Sequence, residues 1–159
     1  MILRRFTEAD APALFALSQE AGIRAWIPDQ VYDDEAHALR VAQYLIAQYG
    51  KSLPEAPFVL GVCVGDELVG HVGLSAAGDD IEIGYAIGDA HVGKGLATQA
   101  VRAMLAQAAL PTVVGIVASD NAGSCRVLEK AGFTLSGETT RPLHGVTRSV
   151  RTYRYRTST

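Results

Sequence analysis

The sequence predicts an α/β domain: one mixed sheet with helices on both faces, in the order β-α-α-β-β-β-α-β-α-β-β. Three observations predict it. Segments of period two and segments of helical period follow one another along the 159 residues. Phe58–Val64 and residues 68–75 are apolar runs joined by Gly65-Asp66-Glu67, which reads as a hairpin. Residues 81–100 then run as strand, glycine loop and helix.

Residues 2–6 read as a short first strand. Thr7 with Asp10 three residues later is a near capping box, with Asp in place of Glu or Gln. It opens a helix to about Glu20, with Leu14 and Leu17 inward. Residues 21–29 read as a loop carrying the only tryptophan, Trp26. Asp33-Asp34-Glu35 puts negative charge at the start of a second helix, where the helix dipole favours it; the alternative is a lure for a cationic amine. Leu39, Ala42, Leu45 and Ile46 form that helix's inward stripe, and Tyr49-Gly50 ends it. Residues 51–57 are a linker with two prolines.

After the hairpin, residues 76–80 turn into the next strand. There Ile81, Ile83, Tyr85 and Ile87 alternate along one face. Gly88, Gly93 and Gly95 break regular structure. Leu96, Ala100, Val101, Met104, Leu105 and Ala108 then recur at helical spacing. Pro111 stops that helix, and residues 112–117 are a β-branched strand. Residues 121–131 form a helix whose face is Ser124, Val127, Leu128 and Ala131, with Gly132 as its C-terminal cap. Residues 134–138 and 150–156 read as the last strands. Without repeat or low-complexity tract, one domain over residues 1–159 is expected.

Composition narrows the function. Apolar residues make up 48% and charged residues 19%, ordinary for a globular chain. No apolar run reaches membrane-spanning length, and the N-terminus lacks the apolar core of a signal peptide, so a cytoplasmic protein without membrane contact is expected. Cys63 and Cys125 follow no spacing pattern and read as reduced and structural. The histidines at 37, 71, 91 and 144 show no metal-ligand spacing, so no metal is expected. A net charge of −3 argues against nucleic-acid binding. Charge is uneven, however: Arg141, Arg148, Arg151, Arg154 and Arg156 crowd the C-terminal end. They read as cations guarding an edge strand, or as contacts to an acidic partner or a ligand phosphate.

The glycine loop is the strongest chemical signal. A loop of this kind feeding a helix N-terminus binds anions, because the first helical N–H groups lack partners and the dipole favours negative charge. Residues 88–94 read G-x-x-x-x-G-K, the start of a P-loop, but Gly95 stands where Ser or Thr would hold Mg²⁺. Gly93-x-Gly95-x-x-Thr98 is a damaged dinucleotide fingerprint, and too much chain precedes it for that fold.

A third pattern fits. Residues 92–97 resemble the pyrophosphate loop Q/R-x-x-G-x-G/A of the GCN5-related N-acetyltransferases (GNAT): Gly95 and Ala97 match, while Val92 departs at the first position. The wording G-Y-x-I-x-x-x-x-x-G-K-G-x-A-T-x-A is closer to the ribosomal-protein-alanine acetyltransferase (RimJ/RimL-like) branch. Residues 121–133, N-A-G-S-C-R-V-L-E-K-A-G-F, resemble a second segment of that branch. The resemblance implies a mostly antiparallel mixed sheet and an acetyl-CoA-dependent N-acetyltransferase. It places coenzyme contacts at Tyr85, Ala86, Ile87, Val92, Gly93, Lys94, Gly95, Leu96, Ala97, Thr98, Asn121 and Ser124. Lys94 is otherwise an exposed loop lysine, and Asn121 is equally a helix cap.

Glu82 is the candidate base. Its face-mates Gly84, Ala86 and Gly88 are all small, which leaves room for a pantetheine arm beside a carboxylate; a salt bridge or a solvent face is the alternative. An amine must lose a proton before attack, and Glu82 could accept it, directly or through water. Many family members place a tyrosine in the later helix to meet the departing thiolate. Leu128 holds that position here, so Ser124, one turn earlier, becomes the candidate, with simple packing as its alternative. The family places the acceptor against Arg24, Trp26, Ile27 and Tyr32, although Trp26 is also core material. The lead acceptor is a protein or peptide N-terminal amine. Small-molecule amines and a non-catalytic acyl-CoA binder are the alternatives, and a homodimer is left open.

Overall fold

The computed structural model describes residues 1–157. Seven strands form one sheet, β1 (Ile2–Arg4), β2 (Phe58–Val64), β3 (Glu67–Ala77), β4 (Asp80–Ile87), β5 (Thr112–Ala118), β6 (Thr134–Leu143) and β7 (Val146–Arg156), in the spatial order β1-β2-β3-β4-β5-β7-β6. Every neighbouring pair is antiparallel except β4 with β5. The helices are α1 (Ala11–Ser18), α2 (Ala21–Trp26), α3 (Glu35–Gln48), α4 (Leu96–Ala108) and α5 (Ala122–Lys130). No helix among the described residues is long and apolar enough to cross a membrane.

Each face of the sheet has its own core. On one, Val72, Leu74 and Ile83 meet Val101, Met104 and Leu105 of α4 and Leu128 of α5. Fully burying each of these large side chains contributes about 1.5–3 kcal/mol. On the other, Leu14 of α1 and Ala38 and Ala42 of α3 cover Phe6, Cys63 and Leu68. That second cover reaches β2 and the start of β3 but leaves the rest of β3 and much of β4 bare. Arg4 holds the N-terminal end with a two-pronged contact to Asp10, 2.8 Å on each oxygen. The guanidinium keeps the Asp10 carboxyl below its usual range. Asp10 also accepts from the Thr7 N–H at 2.8 Å, one half of the expected capping box.

Three elements differ from expectation. Residues 21–26 are helical rather than a loop; α2 follows α1 almost at once and has no capping side chain to announce it. The last two strands are longer than 134–138 and 150–156. They extend to a two-residue turn at His144 and Gly145, where φ is 49° and 79°. Positive φ at both central positions matches the twist of a hairpin. This stretch is exposed on nearly every residue of β6, so no buried face betrayed it. The arginine-rich strand β7 is therefore internal, between β5 and β6, and β6 is the edge. Arg151 bonds Glu138 at 2.6 Å, and Arg154 bonds Asp80 at 3.1 Å.

Candidate active site

The parallel pair opens the sheet. β4 and β5 are in register only at Glu82–Val114 and Ile83–Gly115, among the described residues. Beyond them β5 stays bonded to β7 along its whole length, while β4 follows β3. The two strands part, and residues 84–87 keep one backbone edge without a strand partner. A cleft of about 830 Å³ enters through this gap. It is within the size range of small-molecule sites.

The glycine loop forms one end. Gly93 and Gly95 have φ of 76° and 78°, a conformation other residues adopt only with strain. A Cβ on Gly93 would meet nothing within 4 Å, so the space beside the loop is open. No side chain caps α4, whose first internal bond in this turn runs from Gln99 N–H to the Gly95 carbonyl at 3.0 Å. The amides of Leu96, Ala97 and Thr98 are therefore free to serve an anion, and all three residues line the cleft. Val92, Gly93 and Gly95 line it too. Lys94 does not; its side chain is exposed to solvent.

Glu82 stands on the bare face of β4. The register sets Ser75 opposite Glu82, Gly73 opposite Gly84, and His71 opposite Ala86. Small residues thus make a floor, and a Cβ on Gly84 would meet nothing within 4 Å. Burial raises the Glu82 carboxyl above the usual range, while His144 and Arg141 pull it the other way. His71 also lines the cleft, and burial lowers its imidazole to about 4, leaving it neutral at pH 7. Sequence reasoning missed His71, because a single histidine in an apolar strand carries no spacing signal.

The packed face of β4 also reaches the cleft, through Ile83, Tyr85 and Ile87, and brings one polar contact to it. The Tyr85 hydroxyl lies 2.7 Å from Ser124 Oγ and donates to the Ser124 carbonyl at 3.1 Å. Burial raises the Tyr85 phenol, so it stays protonated. Asn121 accepts from the Ser124 N–H at 3.2 Å and so caps α5. Leu128 is fully buried and packs where a Cβ on Gly115 would stand, 2.7 Å away. Tyr85, Ala86, Ile87, Asn121 and Ser124 all line the cleft.

The wall opposite comes from α2 and the segment after it. Trp26, Ile27 and Tyr32 line the cleft. Arg24 does not join them: its guanidinium turns away to the Gln19 carbonyl and side chain, at 2.9 and 2.6 Å. Gln19 donates to the Tyr32 carbonyl at 2.7 Å, and Ser18 accepts from the Tyr32 N–H at 3.2 Å. The C-terminal end of α1 thus pins this wall. The β6–β7 tip closes over it. His144 meets Asp29 at 2.9 Å, and the Arg148 guanidinium lies 5.4 Å from the Trp26 ring centroid. Sequence reasoning missed this roof because it missed the hairpin.

Comparison with known proteins agrees with this architecture. Residues 1–134 match the family model described as Acetyltransferase (GNAT) domain. The Bacillus subtilis (strain 168) protein named Probable N-acetyltransferase YjcK is 34% identical over 117 residues, 69% of this chain. The chain spans 64% of that relative's length. Among solved structures, RimL, a ribosomal L7/L12 alpha-N-protein acetyltransferase in complex with coenzyme A, superposes with a TM-score of 0.80 at 22% identity, covering 97% of this chain and 92% of its own. The microcin C7 self-immunity acetyltransferase MccE, in complex with acetyl-CoA and AMP, gives 0.80 at 20% identity over 98% and 91%. A Bacillus anthracis acetyltransferase of the GNAT family gives 0.79 at 20% identity over 97% and 93%.

Proposed function

The chain belongs to the acetyltransferase (GNAT) family, and from that premise we propose that it transfers an acetyl group from acetyl-CoA to a primary amine, with a protein or peptide N-terminal α-amine as lead acceptor. The observation that carries this reading is the joining of two opposite chemistries in one cleft. Uncapped helix amides lie at one end, and a half-buried carboxylate lies on the bare face of β4. Sheet and helices contribute to this one cleft, which supports reading residues 1–159 as a single N-acetyltransferase domain.

Acetyl-CoA, when bound, supplies the acetyl thioester. The amides of Leu96, Ala97 and Thr98 hold its diphosphate, with Gly93 and Gly95 allowing the close approach. The unpaired edge of residues 84–87 offers backbone groups to the pantetheine arm and an N–H to the thioester oxygen. Glu82 takes the proton from the incoming ammonium, directly or through one water. Ser124 Oγ, in place of the Ser124 carbonyl, accepts the hydrogen bond of the Tyr85 hydroxyl and donates its own to the departing sulfur. Trp26, Ile27 and Tyr32 form the acceptor wall. The RimL comparison supports the choice of acceptor, since that protein is an α-N-protein acetyltransferase.

Free-thiol release from acetyl-CoA, measured with a panel of N-terminal peptides and small amines, tests the reading. Release should require an amine and should be fastest with a peptide. Release only with small amines would move the acceptor to that class. Coenzyme binding with no release for any amine would make the chain an acyl-CoA binder.

A further inference from the structure

Two arginines face each other at the rim of the cleft. Arg141 and Arg148 are direct partners in the β6–β7 ladder. Like charges in that position repel. Their neighbours on the same ladder are neutralised, Arg151 by Glu138 and Arg154 by Asp80. Neither Arg141 nor Arg148 has a carboxylate partner among the described residues.

The pair looks onto the bare side of the sheet. Side chains alternate along β7, so Arg148 shares a face with Arg154, whose partner Asp80 shares a face with Glu82. The Arg148 guanidinium lies over Trp26, which lines the cleft. Arg141 and His144 are both close enough to Glu82 to favour its ionised form. The proposed base is thus flanked by Arg141 and His144, and Arg148 stands over Trp26 on the acceptor wall. That surrounding repels an amine carrying only further positive charges, such as a polyamine. It suits an amine whose own molecule carries an anion. The coenzyme's diphosphate does not need this pair, because α4 packs on the opposite face and supplies its own amides.

We propose that Arg141 and Arg148 bind an anionic group of the acceptor, a carboxylate or a phosphate on the same molecule as the reacting amine. This rests on reading Glu82 as the base of an amine acetyltransferase. It adds a substrate class: acidic N-terminal peptides and their like, in place of polyamines.

The test uses matched peptides with a free N-terminal amine followed by Asp, Asn, phosphoserine or serine. Their N-acetylated forms serve for calorimetry without turnover. The wild-type chain should favour Asp over Asn, or phosphoserine over serine, by about 10- to 100-fold in kcat/KM, as expected for charge-assisted hydrogen bonds. Which of the two anions gains more identifies the source. Arg141→Gln, at an exposed position, should remove much of that preference, and the Arg141→Gln, Arg148→Gln double variant the rest. Coenzyme A affinity should stay within about twofold, and melting temperature should not fall for Arg141→Gln. Charge-blind transfer by the wild type overturns the proposal. So does a preference that survives Arg141→Gln undiminished, or a loss of coenzyme affinity in step with the lost arginines. Should no amine be acetylated, calorimetry still decides. An acidic N-acetyl peptide that binds wild type but not Arg141→Gln keeps the anion site while the acetyltransferase reading falls; no binding ends both.

Discussion

The two faces of β4 are built from the same eight residues and answer to different demands. Ile81, Ile83, Tyr85 and Ile87 pack against the α4–α5 core. Asp80, Glu82, Gly84 and Ala86 alternate with them; Asp80 pairs with Arg154, and the other three line the cleft, where little protein covers them. Packing rewards bulk, so one face carries branched and aromatic side chains. The other carries an acid among small residues, a poor core and a good floor for a ligand. Fold stability and function are thus separated by a single residue step, the side-chain period of a strand.

Adjacent substitutions sharpen this contrast most. Ile83→Ala should cost about 2–5 kcal/mol in denaturant melts, the usual loss for a buried aliphatic side chain, with residual activity in the folded fraction. Gly84→Val should do the reverse. Its Cβ has open space, and valine suits a strand, so stability should hold or rise by up to about 1 kcal/mol. Activity should drop by about 100-fold or more as the side chain displaces the bound thioester from its reacting position. Equal stability losses at the two positions would break the comparison.

Ser124→Ala probes the polar contact that the packed face brings to the cleft. It should lower kcat by about 10- to 100-fold, the worth of a hydrogen bond to a charged group. Tyr85→Phe should give a smaller loss, because Ser124 stays in place but loses its orienting hydroxyl. A Ser124→Ala chain at full activity would return the Tyr85–Ser124 contact to packing alone.

The same separation explains how much could be read in advance. β4 was legible because its faces differ in residue type, and the glycine loop because its chemistry is local. α2 was not, since a six-residue helix containing Gly22 and lacking a side-chain cap leaves no periodic trace. The β6–β7 arm was not, since exposure on both sides removes the alternation that marks a strand. The site's long-range pairs lay further out of reach. Tyr85 meets Ser124 across 39 residues, and His144 meets Asp29 across 115. Arg24 erred in the opposite way: its neighbours line the cleft, but helical geometry turns its side chain back to Gln19. Asn121 caps α5 through the Ser124 N–H and lines the cleft as well.

The role of Glu82 is tested most directly by the pH dependence of kcat/KM, compared between the wild type and Glu82→Gln with an N-terminal peptide. Glu82→Gln has no group to take the proton and needs an amine that is already free, so below the amine's pKa, about 7.7–8.0, its kcat/KM should fall about tenfold per pH unit. A base must be deprotonated to act, and burial holds Glu82 above the ordinary 4.5. The wild-type profile should therefore stay nearly level below the amine's pKa and fall about tenfold per unit only where Glu82 itself protonates, at a pH above that value, so the deficit of Glu82→Gln grows as pH falls. Profiles of identical shape in the two proteins would contradict Glu82 as the group that takes the proton.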